Sequence, residues 1–149
     1  MASSVSGGGK FGRALDAISG KLGNASEVQV GFLEGQTYPD GTSVPMVAAI
    51  NEFGAPSRNQ PPRPFFRRMI AEKSSSWPKA IADRLKANEF DARATLEEVG
   101  QGVASQLQDS IDKLVSPPLA PSTIARKGFD KPLIDTGQMR NSVSHIVKE

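Results

Sequence analysis

The chain of 149 residues contains no cysteine, and this excludes disulfides, thiolate metal sites and a cysteine nucleophile. A single histidine, His145, leaves little for imidazole catalysis or metal ligation, and aromatic residues make up only 6% of the chain. No stretch approaches the roughly 18 consecutive apolar residues of a membrane span, and the start, Met1 to Lys10, has no apolar run of signal-peptide length. An excess of one charge is also lacking: 18 Lys and Arg face 16 Asp and Glu, for a formal charge of +2. So small a surplus does not point to nucleic acid unless it is concentrated in a patch. The expectation is a soluble protein made in the cytoplasm, with neither a membrane partner nor a cofactor.

What is present suits one folded domain. Hydrophobic residues at 38% and charged residues at 23% are ordinary globular values, and the length fits a single core. Residues 1–9, rich in Ser and Gly, predict a flexible N-terminal arm, and 10–149 a single domain. Phe11, Leu15, Ile18 and Leu22 recur at helical spacing before Gly23-Asn24. Val28, Val30 and Phe32 alternate as in a half-buried strand over 27–33, and Pro39 to Thr42 reads as a turn. Over 44–53, Pro45 opens a helix whose stripe is Met46, Ala49, Ile50 and Phe53, and Gly54 ends it.

Four prolines between Ala55 and Pro64 predict an exposed or partner-bound loop. A helix then starts near Phe65, with a break around Ser76 before Pro78. Leu96, Val99, Val103, Leu107, Ile111 and Leu114 make 90–115 a long amphipathic helix, in which Gly100 and Gly102 suggest close approach of another backbone. A short helix over 121–127 follows, and a last strand over 141–147 alternates Val143, His145 and Val147. The expected fold is α+β: a small antiparallel sheet packed against the long helix, with additional short helices and the flexible arm.

Signatures of catalysis are missing. The run Gly7-Gly8-Gly9-Lys10 has neither the preceding strand nor the Ser/Thr of a phosphate loop, and His145 reads as an ordinary strand residue. Asp135 has a sufficient role as a turn or cap residue before Gly137. No enzyme is expected. The densest positive feature is Arg58, Arg63, Arg67 and Arg68, interleaved with Phe65 and Phe66. Such arginines can hold DNA phosphates, pair with carboxylates on a neighbouring subunit, or face water.

Two separated blocks carry a family resemblance. The first is Ile50-Asn51-Glu52-Phe53-Gly54 with Pro62-Arg63-Pro64-Phe65-Phe66-Arg67; the second is Leu119 to Ile124 with Lys127-Gly128, then Pro132 to Met139 and Ser142. In this order they resemble the phage tail-component family of neck and tail-completion proteins akin to the lambda minor tail protein Z. The stretch Ser57 to Gln60 and the Trp77-Pro78 break depart from its pattern. The resemblance implies a virion structural protein at the head–tail junction, a homo-oligomeric ring of six between the tail tube or tail terminator and the portal-side head connector, near the DNA channel. Within the motifs, Glu52, Phe53, Gly54, Pro64, Asp135, Thr136 and Gly137 read as fold determinants, with Phe53 and Phe65 pinning a corner to the core. The arm and Arg58, Arg63, Phe65, Arg67 and Arg68 read as partner contacts. The alternatives are a tail terminator or head-closure protein of the same particle, a DNA-binding packaging accessory protein, and a wall hydrolase.

Overall fold

The structure, a computed structural model, describes residues 8–114, 117, 121–127 and 137–149. Its elements are α1 (Gly8–Leu22), β1 (Glu27–Phe32), α2 (Val44–Phe53), a 3-10 turn at Pro56–Arg58, α3 (Phe65–Lys73), a second 3-10 turn at Ser74–Ser76, α4 (Trp77–Ala87), α5 (Ala92–Lys113), α6 (Pro121–Lys127), α7 (Gln138–Asn141) and β2 (Val143–Lys148). The fold is α+β: the two-stranded antiparallel sheet packs on the long helix α5, as the apolar periodicities predict.

Helix α5 starts where its first-turn amides find acceptors. The Asp91 carboxylate accepts the Ala94 N–H at 2.9 Å and the Asn24 amide at 3.1 Å, while the Asn24 Oδ1 accepts the Arg93 N–H at 2.8 Å. The Ala94 amide first, and Asn24 second, hold the Asp91 carboxyl below the ordinary carboxylate range. Leu107, Ile111 and Leu114 are buried, together with Phe65, Met69, Val44, Met139 and Val143 from the other elements. Toward its N-terminus the helix buries small residues instead, Ala92, Thr95, Gly100 and Ala104, and Leu96, Val99 and Val103 are half-buried beside them.

Gly100 explains that shift. A Cβ there would lie 2.6 Å from Val28 Cγ2 and 2.8 Å from His145 Cδ2, so the absent side chain is what lets the sheet settle on the helix. The register pairs Val28 with Val147, Val30 with His145 and Phe32 with Val143. His145 is a sheet residue whose Nε2 lies 2.8 Å from a Glu97 carboxylate oxygen. The expected strand at 141–147 begins later, because Gly137 at φ 74° turns the chain into a short helix closed by Asn141 N–H to Gly137 O.

Helices α3 and α4 lie along α5. Ser110 donates to the Phe65 carbonyl at 2.6 Å, and the Trp77 indole donates to Gln106 at 2.9 Å. The break falls at Ser74–Ser76, with Pro78 in the first turn of α4, where a missing N–H costs nothing.

Helix α1 begins at Gly8, so Gly8 and Gly9, expected in the arm, stand in its first turn; once the stripe behind them nucleates a helix, extension adds one bond per residue. Residues 1–7 lie outside the described residues. The helix buries none of its residues, and Phe11, Leu15 and Leu22 are 67%, 50% and 41% exposed.

Candidate partner interface

Helix α2 forms because Ser43 accepts the Met46 N–H at 3.3 Å, Pro45 fits the first turn, and Gly54 closes it at φ 77° with its N–H on Ile50 O. A Cβ at Gly54 would come within 2.8 Å of Gln60 O and Pro62 N, so the motif glycine is also a packing requirement. The inward face of α2, however, is Val44, Ala48 and Glu52, not the expected stripe.

The carboxylate decides the orientation. Glu52 is buried and accepts the N–H groups of Phe66 (2.9 Å) and Arg67 (3.1 Å) and the Nε–H of Arg67 (2.7 Å). The Arg67 guanidinium donates again to the Glu52 carbonyl at 3.0 Å. Pro64 opens α3 without a side-chain cap, so the distant carboxylate supplies what the first turn lacks and sits at its positive dipole end. With Glu52 inside, Met46 and Phe53 turn outward and are 60% and 66% exposed. This corrects the expectation that Phe53 pins the corner to the core; Phe65 does so alone, at 1% exposure.

Beside α2 lies an apolar cleft of about 290 Å³, lined by Phe32, Pro45, Ala49, Phe53, Phe65 and Phe66, with Arg67 at its edge and its guanidinium 5.2 Å above the Phe53 ring. Phe66 also lines a second cleft of about 260 Å³ between β1, α4 and α5, with Val30, Trp77, Ile81 and Val103.

The arginine cluster is largely occupied within the chain. Arg63 is buried, donates from Nε to the Pro117 carbonyl at 3.3 Å, and has its pKa lowered by that burial. It and Phe65 are thus core residues of this chain, which corrects their expected place on a contact surface. Arg67 is bound to Glu52 but keeps an exposed edge, and Arg68 pairs with Glu72 at 2.9 Å one helical turn on, holding that carboxyl low. Arg58 is exposed in the 3-10 turn, with no ion-pair partner among the described residues. Asp135 and Thr136 lie outside the described residues, and Gly137 takes the left-handed conformation its place before α7 requires.

The chain matches no protein-family model, no characterised protein and no solved structure.

Sequence reasoning missed Asn51, which ties the corner together. Its amide donates to Val47 O at 3.0 Å and lies 4.0 Å from Met139 Sδ, while its carbonyl accepts from Gln60 at 3.2 Å. Only its place inside the motif singled it out. Among the described residues no group of three His, Asp or Glu could hold a metal ion, and no helix is long and apolar enough to cross a membrane. What the surface offers is apolar area and an aromatic ring backed by a cation, chemistry suited to protein surfaces.

Proposed function

We propose that this chain is a bacteriophage virion structural protein of the head–tail neck, acting in tail completion as a ring that joins the tail tube to the head connector. The observation that carries the reading is the meeting of the two motif blocks. Asn51 touches Met139, and Met139 is buried in one cluster with Phe65 and Met69, so residues far apart in sequence build one corner. That corner turns an aromatic residue outward beside an apolar cleft, as a chain that works by binding its neighbours requires. The Phe53 corner and the exposed edges of Arg67 and Arg58 are the surfaces we assign to partners.

Cryo-electron microscopy of intact particles tests this. A symmetric ring at the head–tail joint that fits this fold is the expected result. Mature particles without the protein, while infected cells contain it in abundance, would sink the reading. The DNA-accessory alternative draws on the arginine cluster, of which Arg63, Arg67 and Arg68 are engaged within the chain. A steep fall of DNA affinity with salt would bring it forward.

A further inference from the structure

We infer that α1 of one copy lays its apolar face across α2 and the adjoining cleft of a second copy, making a head-to-tail contact. Helix α1 carries Phe11, Leu15 and Leu22 in water and buries no residue within its own chain. An isolated helix of that length is marginal in water, so its persistence calls for cover. The other end of the molecule has the complementary shape: Met46 and Phe53 stand exposed beside an open apolar cleft.

Among the described residues, α1 does not reach the cleft of its own chain. The segment after α1 is fixed at the start of α5, where Asn24 bonds Asp91 and Arg93. The cleft lies toward the other end of α5, where Phe65 accepts from Ser110. Those anchor points are about 28 Å apart along the helix, and α1 itself spans only about 22 Å. A protruding face at one end and a recess at the other form a heterologous pair, the arrangement that propagates around a ring.

The areas agree with a stable contact. Phe11, Leu15 and Leu22 on one side and Met46 and Phe53 on the other leave roughly 500 Å² of apolar side chain in water. That is the larger part of the apolar area in the smallest stable interfaces, which bury about 1,200 Å² in all. Phe53 is the anchor, since Arg67, itself fixed by Glu52, lies over its ring and holds it in place before the partner arrives. The pairwise contact stands on these surfaces alone; its closure into a ring rests on the neck reading.

The experiment uses the full chain in sedimentation velocity and light scattering. The wild type should assemble beyond a monomer. A Phe11→Ser/Leu15→Ser variant and a Phe53→Ser variant should each be monomeric, while an equimolar mixture of the two should form 1:1 dimers and nothing larger. Each variant retains one intact surface, so only a head-to-tail contact gives that result. A monomeric wild type, a mixture that stays monomeric, or a Phe53→Ser variant that assembles normally would overturn the inference. Should either variant fail to melt cooperatively, Leu15→Cys/Met46→Cys decides the matter in this cysteine-free chain: oxidation should yield a ladder of covalently linked copies, and no ladder refutes the contact. A ladder from a protein missing from virions removes the neck reading alone; virion rings that do not cross-link remove this inference alone.

Discussion

Glu52 and Arg67 hold each other twice, through the carboxylate at 2.7 Å from Nε and through the backbone carbonyl at 3.0 Å from Nη2. The same carboxylate also receives two amides of α3, so one buried side chain joins two helices and a salt bridge. Replacing it strands several donors at once. Glu52→Ala should destabilise the fold by about 2–4 kcal/mol, and Glu52→Gln, which keeps one acceptor oxygen, by less. Urea unfolding checks the order, and equal midpoints for Glu52→Ala and the wild type would refute this account of the corner.

Two glycines in one helix should respond with opposite signs. Gly100→Ala places a methyl against Val28 and His145 and should cost about 1–3 kcal/mol by overpacking. Gly102→Ala meets nothing within 4 Å and should gain up to about 1 kcal/mol from helix propensity. Thermal melting of the two variants separates packing from propensity within a single element.

The Asp91 cap makes stability depend on pH. Its carboxyl is depressed in the folded state, so its contribution is complete above the unfolded pKa, near pH 4, and is lost as pH falls through the lower folded value. Asp91→Asn can still accept the Ala94 N–H but does not titrate. Its melting temperature should therefore fall less steeply than that of the wild type as the pH is lowered from about 4. Parallel acid profiles for the two proteins would refute the cap's role.

At Gly54 both conformation and space are restrictive. Gly54→Ala combines a positive φ with contacts of 2.8 Å to backbone atoms of Gln60 and Pro62, and should cost about 2–4 kcal/mol. Chemical denaturation measures it, and a loss below about 1 kcal/mol would mean that the loop yields easily.

Much of the fold is legible in the sequence because backbone punctuation is local. Pro45 and Gly54 bracket α2, Pro78 marks the break after α3, and period-two alternation finds β1. The faces are less legible. Apolarity points Met46, Ala49 and Phe53 inward, but a carboxylate that meets a helix N-terminus outweighs it, and that partner comes from a later segment. The stripe of α1 reads only as an amphipathic helix, since periodicity reports an apolar face without saying whose surface covers it. The arginines read as partner contacts, because the Pro117 carbonyl that receives Arg63 lies 54 residues away in sequence.

The pairing of β1 with β2 has a consequence for how the chain is born. Glu27 meets Lys148 and Phe32 meets Val143, residues far apart in the sequence. Helices α3, α4 and α5 are neighbours in sequence and can associate during synthesis, whereas β1 must wait for the much later β2 to be made. Until then the Gly100 face of α5, shaped to receive the sheet, stands bare. A deletion that removes only β2 should therefore leave a helical but sticky intermediate, prone to aggregate while its upstream half is already formed.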